Sequence, residues 1–209
     1  MSKLNENRPT AIPQYNKAAI EGQGDRVPRR QWHTVNNNPD KLIRLVILEG
    51  WCIGFRSLST SDLEFKHKAV VSALNRPKSK YNGRLGHNAL ESVADINNAL
   101  HDYDTITDRF DAFIHIDAAD IQYVYEWRLE QEAGLRKAEG AGMTNEQVRN
   151  FVDGYYPAYE LYTETLRRGI FRRGDEQEWM KSRGKQLRLI IGRDRLVREV
   201  IRIQSSYEH

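Results

Sequence analysis

The first candidate for chemistry is Glu49, an acidic residue that directly follows an apolar run. The run, LIRLVIL over residues 42–48, has the aliphatic character of a strand buried on both faces of a parallel sheet. In open α/β sheets, ligands bind beyond the carboxyl ends of the strands, where Glu49 would then lie. A carboxylate at that point can hold Mg²⁺ beside phosphates or act as a general base. The alternative is an acidic residue that ends a strand and does no chemistry.

A second candidate feature is the basic C-terminal third of the chain. Residues 167–202 contain 12 Lys or Arg against 5 Asp or Glu, a net charge of +7, whereas the whole chain carries +3. Such a window favours an anionic partner, such as nucleotide phosphates, a phosphorylated metabolite or nucleic acid. A solvated basic face without a dedicated ligand is the alternative.

Cysteine and histidine indicate neither a disulfide framework nor a zinc site. The single Cys52 cannot form an intrachain disulfide, and the six histidines are scattered, so a reducing, cytoplasmic compartment is expected. No apolar run approaches the roughly 18 residues that a membrane span needs. The first residues, MSKLNENRPTAIPQ, lack the apolar core of a secretory signal.

The elements that would position these residues alternate between strands and helices. Two further strands are predicted over residues 110–118 (FDAFIHIDA) and 186–192 (QLRLIIG). Helical spacing predicts helices over residues 62–74, 89–102 and 120–138, and another helix after Thr144, with Gln147 at the capping-box position. Strands separated by helices predict an α/β sheet with helical crossovers. A length of 209 residues predicts one domain, or at most two small ones.

Three stretches carry a resemblance to a known family. They are PQYNKAAIEGQGDR, VILEGWCIGF and VYEWRLEQEAGLRKAEGAGMTNEQVRNFVDGYYPAYELY, in that order. Together they resemble the D-glycerate 3-kinase family and its fungal ATP-binding relatives, which are P-loop kinases related to uridine and pantothenate kinases. The resemblance covers residues 12–203. It implies a P-loop-kinase-like parallel sheet over residues 41–209, preceded by a loop-rich segment, residues 1–40, that carries the GDR loop.

The resemblance also implies roles for five residues. Glu49 would be the Walker-B-like carboxylate beside Mg-ATP, and therefore the metal ligand. Asp25 and Arg26 would lie near the acceptor or the transferred phosphoryl group. Arg128 and Arg136 would belong to a lid-like helix that closes over the phosphates of ATP. The implied cofactors are ATP and Mg²⁺, and the implied partners are a nucleotide and a small hydroxy acid, without a membrane.

Two departures from the family pattern concern phosphoryl transfer. None of the 14 glycines begins a Gly-Lys-Ser or Gly-Lys-Thr sequence, so the phosphate-cradling G-x-x-x-x-G-K-[ST] loop is missing, together with its strand and helix. The family usually has Tyr-Asp-Lys-Ser where this chain has Tyr15-Asn16-Lys17-Ala18. An amide such as that of Asn16 carries no charge and accepts no proton.

The sequence therefore predicts a D-glycerate 3-kinase-like fold that is inactive alone, either as a truncated gene product or as a degenerate paralogue. One rival is a non-catalytic interaction module. Another is a basic nucleic-acid-binding protein, but the arginines are not interleaved with aromatic stacking platforms. Trp127, Tyr155, Tyr156 and Tyr159 are expected to be core residues, because aromatics at helical spacing are usually packed. Arg128 could simply pair with Glu132 along a helix.

Overall fold

A computed structural model describes residues 6–16, 19, 25–140, 142–171 and 183–204 of the protein. The chain divides into two compact units, Met1–Trp51 and Cys52–His209. The division of the family fold at residues 40 and 41 remains a prediction. Among the described residues, no helix combines the length and apolar character that crossing a bilayer requires.

The first unit contains two short antiparallel strand pairs. Strand β1 (Thr10–Ile12) pairs with β4 (His33–Val35), and β2 (Tyr15–Asn16) pairs with β3 (Asp25–Arg26). Short 3₁₀ turns lie at Arg29–Gln31 and Pro39–Lys41. The indole of Trp32 donates a hydrogen bond to the carbonyl of Val27 at 2.7 Å. This unit therefore includes the predicted GDR residues Asp25 and Arg26 as β3.

The predicted strand over residues 42–48 is wrong. The segment has no regular secondary structure, and the side chains of Leu45 and Ile47 are 74% and 81% exposed. A strand requires a hydrogen-bonded neighbour, and no described strand pairs with this segment. The amide of Ile43 donates to Oδ1 of Asn36 at 2.7 Å and anchors the start of the segment. Glu49 consequently follows an exposed, irregular segment instead of a buried strand.

The second unit carries the four helices that the sequence predicts and a short additional one, Asp104–Thr107. They are α1 (Thr60–Leu74), α2 (Leu90–His101), α3 (Asp104–Thr107), α4 (Tyr123–Glu139) and α5 (Asn145–Arg168). The capping box at the start of α5 is confirmed: the Gln147 amide donates to Thr144 Oγ1 at 3.2 Å, and the Thr144 amide donates to Gln147 Oε1 at 2.8 Å. Helix α4 ends at Gly140, whose φ of 71° is readily adopted by glycine.

A three-stranded sheet lies in the same unit. Strand β5 (Phe113–Ala118) pairs in parallel with β6 (Gln186–Ile191), which pairs antiparallel with β7 (Val197–Ile203). The order is β5-β6-β7, so β5 lies at an edge. The α/β class is confirmed, although the described sheet is mixed and not purely parallel.

The core of this unit explains why the stretch LEGWCIGF, residues 48–55, ends with Gly54 and Phe55. Gly54 has a φ of 88°, and a Cβ there would lie 2.7 Å from Cζ of Phe113, so only glycine fits. The next residue, Phe55, is buried in the core. Its partners there are Leu63, Leu85, Val93, Leu161, Tyr162, Leu166 and Ile170. The motif residues after Trp51 thus pack the loop against the sheet and α5.

Candidate functional site

An open cavity of about 450 Å³ lies where α4 approaches the turn between β6 and β7. Both elements follow the carboxyl ends of parallel strands, β5 and β6, which is where α/β proteins place ligands. Helix α4 contributes one face to the cavity through its i, i+3, i+4 and i+7 positions. The lining residues are Val124, Trp127, Arg128, Gln131, Tyr155 and Arg195.

Arg128 is held in the cavity wall by side chains of its own helix. Its Nη2 pairs with Oε1 of Glu132 at 2.7 Å, and its Nη1 donates to Oε1 of Gln131 at 2.8 Å. The guanidinium lies 5.1 Å from the centroid of the Phe151 ring. Glu132 is buried and also accepts the Met143 amide at 3.2 Å. The pairing that the sequence suggested for Arg128 is therefore present.

Arg128 has donors that its helix partners do not use. Its Nε is buried and has no hydrogen-bond partner among the described residues. A guanidinium has five N–H donors, so Arg128 can keep its carboxylate partner and still bind an anion. Buried donors without partners are uncommon in native proteins. Because the Nε is shielded from solvent, an anion in the cavity would be bound by the Nη hydrogens that Glu132 and Gln131 do not use.

The part of the wall where α4 meets the β6–β7 turn is built around Trp127. Its Nε1 donates to the carbonyl of Arg193 at 2.8 Å, which ties the β6–β7 turn to α4. The guanidinium of Arg195 lies 5.8 Å from the centroid of the Trp127 ring. Arg195 also has a φ of 62°, an unusual conformation for a residue with a side chain. Such conformations concentrate at functional sites.

Ion pairs between the turn and α4 hold this wall in place. Arg193 pairs with Glu126 at 2.5 Å, and Arg195 pairs with Glu130 at 2.6 Å. Each pair is exposed and by itself worth little. Together with the indole hydrogen bond they fix the turn at the helix. The cavity thus combines two arginines with two aromatic side chains, a set that suits an anionic ligand with a flat ring.

The structure does not place Arg136 in the cavity. Its guanidinium donates to the carbonyl of Met143 and to Oδ1 of Asn145, at 3.2 Å for the second contact. These contacts close the connection between α4 and α5. Arg136 lies eight residues after Arg128, about 12 Å further along the helix axis. Its geometry is that of a residue which stabilises the inter-helix turn.

The other predicted site residues lie in the first unit. Asp25 and Arg26 form β3 and are exposed, and the Arg26 amide donates to Oδ1 of Asp25 at 2.6 Å. Asn16 is the register partner of Asp25 across β2 and β3. The residue that departs from the family pattern is therefore directly opposite one of the predicted site residues.

Glu49 is exposed in the same unit. Its carboxylate is the kind of oxygen ligand that Mg²⁺ accepts, and Mg²⁺ usually keeps several waters and takes phosphate oxygens. Within the described part of the chain, no group of three or more His, Cys, Asp or Glu residues could hold a metal. Glu49 therefore belongs to no cluster of three such ligands among the described residues.

A second charged cluster ties α5 to the sheet. Asp117 is buried and binds Arg167 through two hydrogen bonds of 2.7 and 3.0 Å, and Arg188 at 2.6 Å. Burial opposes ionisation of Asp117, but the hydrogen bonds from Arg167 hold its pKa below the usual range. Burial lowers the pKa of the neighbouring His115 to about 4. This cluster has a structural geometry, because its charges contact one another.

Ion pairs with carboxylates neutralise much of the positive charge of residues 167–202. Within the described part of the window, six arginines form ion pairs with Asp or Glu: Arg167, Arg168, Arg188, Arg193, Arg195 and Arg198. A net charge of +7 over residues 167–202 therefore overstates the field at the surface, because several carboxylate partners lie outside that window. The argument for nucleic acid becomes weaker accordingly.

The sequence predicts only one of the six cavity residues, Arg128, as a site residue. Val124, Gln131 and Arg195 carry no functional prediction, and Trp127 and Tyr155 are expected in the core. Tyr156 is buried as expected, whereas Trp127 and Tyr155 line the cavity. A signal was present: Arg193 and Arg195 follow the predicted strand that ends near Gly192, at the edge where ligands bind.

The fold and cavity define an α/β protein with a kinase-like architecture, and comparisons with known proteins agree. A solved D-glycerate 3-kinase from Cryptococcus neoformans var. grubii superposes with a TM-score of 0.76 at 30% identity, over 96% of this chain and 62% of that chain. No family model matches the chain.

Two curated relatives are also named as kinases. The uncharacterized kinase mug58 of Schizosaccharomyces pombe is 33% identical over 156 residues, 75% of this chain and 50% of the relative. The chloroplastic D-glycerate 3-kinase of Arabidopsis thaliana is 32% identical over 168 residues, 79% of this chain and 31% of the relative. The chain belongs to the family of D-glycerate 3-kinases and related fungal kinases, and spans half or less of these two curated relatives.

Proposed function

We propose that the chain is the lid- and acid-bearing part of an ATP-dependent kinase that phosphorylates a hydroxyl of a small hydroxy acid. The observation that carries the proposal is the cavity at the carboxyl edge of the sheet. It offers cationic side chains and aromatic rings together. The acceptor class follows from the names of the relatives, two of which are D-glycerate 3-kinases.

The chain's own residues would bind and orient the nucleotide. Arg128, positioned by Glu132, would direct the N–H groups of its two Nη atoms that Glu132 and Gln131 do not use at phosphate oxygens. Arg195 would add a second positive charge from the β6–β7 turn, and Trp127 and Tyr155 would contact a flat ring. ATP supplies the transferable phosphoryl group when bound, and phosphoryl transfer relies on positioning and charge neutralisation.

Roles in the first unit follow from the family resemblance. Glu49 would be a protein ligand of Mg²⁺, and Asp25 and Arg26 would lie near the acceptor hydroxyl or the transferred phosphoryl group. Arg136 would act indirectly, because its contacts stabilise the α4–α5 turn. These assignments are proposals, and each is separable by substitution.

The sequence also favours a second candidate, a non-catalytic interaction module. No Gly-Lys-Ser or Gly-Lys-Thr exists in the 209 residues, so the backbone cradle that holds ATP phosphates in P-loop enzymes is missing from this sequence. We therefore propose nucleotide binding in the millimolar range, without turnover by the isolated chain.

Nucleotide binding is tested by NMR titration of the labelled chain with Mg-ATP, with adenosine as the phosphate-free comparison. We expect Mg-ATP to shift the indole signal of Trp127 and the amides of the β6–β7 turn, and adenosine to shift them less. Arg195→Gln removes one cavity charge from an exposed position and leaves the buried Glu132 paired. It should weaken binding about tenfold or more, as expected for a charge-assisted hydrogen bond.

The matched control is Arg149→Gln, the same change at an exposed position of α5 outside the cavity. It should leave the titration unchanged. Equal responses to Mg-ATP and adenosine, or equal effects of the two arginine substitutions, would remove the cavity as a phosphate site. Unaltered spectra up to high millimolar Mg-ATP would favour the interaction module.

A further inference from the structure

The turn that follows helix α1 exposes a serine among positive charges. Ser79 is exposed, and so are Arg76, Lys78 and Lys80 around it. None of these three cationic side chains forms an ion pair with a described residue. A hydroxyl surrounded by uncompensated positive charge is readily approached by an acidic protein surface.

An arginine three residues before a serine is the charge pattern that arginine-directed Ser/Thr protein kinases recognise, because acidic side chains of such a kinase bind the guanidinium. The pattern occurs three times in the sequence, before Ser59, Ser79 and Ser205. Ser205 lies outside the described residues. The fold distinguishes the other two, because a protein kinase requires the hydroxyl and the arginine to be accessible together.

The arginine that precedes Ser59 is not accessible. The side chain of Arg56 is 9% exposed and pairs with Asp104 at 2.8 Å and with Asp108 at 2.6 Å. Ser59 is the N-cap of α1: its Oγ accepts the Asp62 amide at 3.1 Å and lies 2.7 Å from Oδ2 of Asp62, to which it donates. Phosphorylation at Ser59 would have to break both the cap of α1 and a buried ion pair.

The hydrogen bonds of Ser79, in contrast, are local to an exposed turn. Its Oγ donates to the carbonyl of Ala73 at 2.6 Å and accepts the amide of Tyr81 at 3.1 Å. Its own amide donates to the carbonyl of Arg76 at 3.1 Å. Residues 75–80 are all exposed and belong to no helix or strand. Such segments open most readily, so the turn can extend into the cleft of a kinase while α1 stays folded.

We infer that Ser79 is a phosphorylation site for an arginine-directed Ser/Thr protein kinase, and that Arg76 is the residue which this kinase recognises. In the transfer step, Oγ of Ser79 attacks the γ-phosphorus of Mg-ATP held by that kinase. The new O–P bond forms as the bond from the γ-phosphorus to the β–γ bridging oxygen breaks, and ADP leaves. The hydroxyl proton passes to the catalytic aspartate of the kinase.

Phosphorylation would change the contact between the turn and the end of α1. The phosphoryl group adds a charge of about −1.5 to −2 and removes the hydroxyl hydrogen that binds the carbonyl of Ala73. The last carbonyls of a helix carry a partial negative charge and repel a phosphate. Residues 75–80 should therefore move away from the end of α1.

The next part of the loop has anchors of its own. Glu160 of α5 accepts the amides of Arg84 and Leu85, both at 2.8 Å, and the hydroxyl of Tyr81 at 2.7 Å. Gly83 permits this approach, because a Cβ there would overlap Oε1 of Glu160. These anchors confine the change to the turn. The cavity is not involved, so this inference stands or falls separately from the proposed function.

The experiment treats the full 209-residue chain with purified cyclic-AMP-dependent protein kinase and Mg-ATP, and measures phosphate at Ser59 and Ser79 by peptide mapping. Synthetic peptides of residues 53–63 and 73–83 provide unfolded comparisons, since both contain the recognised pattern. We expect Ser79 to react in the chain within about tenfold of its peptide rate. Ser59 should react about a hundredfold or more slower in the chain than in its peptide, because a buried pair must break.

Substitution tests the recognised arginine. Arg76→Gln should slow phosphorylation of Ser79 in the folded chain by about tenfold or more, because a charge-assisted contact with the kinase is lost. The matched control is Arg149→Gln, the same change at an exposed position of α5, and it should leave the rate unchanged.

Amide hydrogen exchange tests the consequence for the turn. In the phosphorylated chain, the amides of Ser79 and Tyr81 should exchange about tenfold or more faster than before. The amides of Arg84 and Leu85, which bind Glu160, should keep their rates. A Ser79→Ala chain treated in the same way is the control, and the treatment should leave its exchange rates unchanged.

Four outcomes would overturn the inference. Phosphorylation of the 73–83 peptide but not of Ser79 in the chain would show that the folded turn is closed to a kinase. Equal rates at Ser59 and Ser79 in the chain would mean that the kinase acts on unfolded molecules. Equal effects of the two arginine substitutions would remove Arg76 as the recognised residue. Unchanged exchange of the Ser79 and Tyr81 amides would show that the phosphorylated turn stays against α1.

Discussion

At the residue scale, the cavity depends on a buried carboxylate. Glu132 contacts Arg128 through one oxygen and the Met143 amide through the other, so it supports both the cavity wall and the α4–α5 turn. The sequence indicated the pair by its i, i+4 spacing, but not its burial. Surface pairs at this spacing are worth a few tenths of a kcal/mol, whereas breaking a buried pair is costly because one charge remains without a partner.

We expect Glu132→Gln to lower the free energy of unfolding by about 3 kcal/mol, the lower end for a buried pair. Arg128 retains some exposure, which limits the cost. Urea unfolding of the parent and the variant at pH 7 measures the difference. Glu130→Gln is the control, because its pair with Arg195 is exposed, and it should change stability by less than about 1 kcal/mol. Equal effects of the two substitutions would contradict the structural role of Glu132.

His115 makes a second prediction at this scale, for pH dependence. Burial lowers its pKa from 6.5 to about 4 in the folded chain. A group whose pKa is depressed by folding contributes stability above its unfolded pKa, and this contribution is lost as the pH falls. The window is therefore pH 6.5 down to about 4, and the loss between pH 7 and 4.5 should be about 2 to 3 kcal/mol.

Urea unfolding at several pH values checks the His115 prediction, with His115→Leu as the comparison. The leucine variant should lose less stability on acidification, because it has no imidazole to protonate. Asp117 acts in the same direction but at lower pH, since its pKa is depressed below the usual carboxyl range. Identical pH profiles for the parent and His115→Leu would show that His115 is not held neutral by burial.

The effect of a charge at position 16 depends on Asp25, which lies across from it. Asn16 and Asp25 are register partners in β2 and β3, and opposite side chains in such a pair are about 5 Å apart at Cβ. We expect Asn16→Asp to create a pair of facing carboxylates that stabilises the chain when Mg²⁺ is added. The parent, with one carboxylate at this place, should respond less. Thermal melts at 0 and 10 mM Mg²⁺, about the range for weak sites, test this, and equal responses would contradict it.

At the element scale, the sequence predicted helices better than strands. Helices carry their hydrogen bonds and caps locally, so Thr144 and Gln147 could be identified from spacing alone. Strands depend on partners that spacing does not reveal. Residues 42–48 have the composition of a buried strand, but they lie exposed because no described strand pairs with them. The same reasoning explains why the one-sided pairing of β5 within the described sheet could not be predicted from spacing.

The capping box gives a direct test at this scale. Thr144→Ala removes the side-chain acceptor of the Gln147 amide and should cost about 1 kcal/mol of stability. Thr144→Ser keeps the hydroxyl and should cost little. Chemical unfolding of the three proteins measures the differences. A loss with serine as large as with alanine would mean that the threonine methyl group contributes and the cap does not.

At the scale of the whole molecule, the sequence predicts some residues of the candidate site, and only the structure identifies the others. Arg128 was predicted from a motif that also contains Trp127. Tyr155 of α5 and Arg195 of the β6–β7 turn come from other elements, which only the fold brings to them. Asp25, Arg26 and Glu49 lie in the first unit, and Arg128 and Arg136 lie in the second. The family resemblance therefore assigns one reaction to residues of both units.

The missing phosphate cradle makes a prediction for turnover. We expect no measurable ATP-dependent phosphorylation of D-glycerate by the isolated chain, because phosphoryl transfer depends on positioning that this sequence does not provide. A coupled assay for ADP measures it, with a D-glycerate 3-kinase of known activity as the positive control. Turnover near the usual range of about 1–100 s⁻¹ would show that other residues of this chain replace the phosphate loop.

Association of the isolated chain is expected from its exposed apolar segment. Over residues 42–48, Leu45 and Ile47 are largely exposed and lie in backbone without regular secondary structure. Uncharged runs of β-branched and aliphatic residues recruit other strands, and Arg44 is the only charge in this run. Val46→Lys should reduce association without lowering the melting temperature, because Val46 is exposed and no described strand pairs with it. Light scattering over a concentration series measures association. A monodisperse parent chain would contradict the prediction, and an unfolded Val46→Lys variant would mean that this segment is buried in solution.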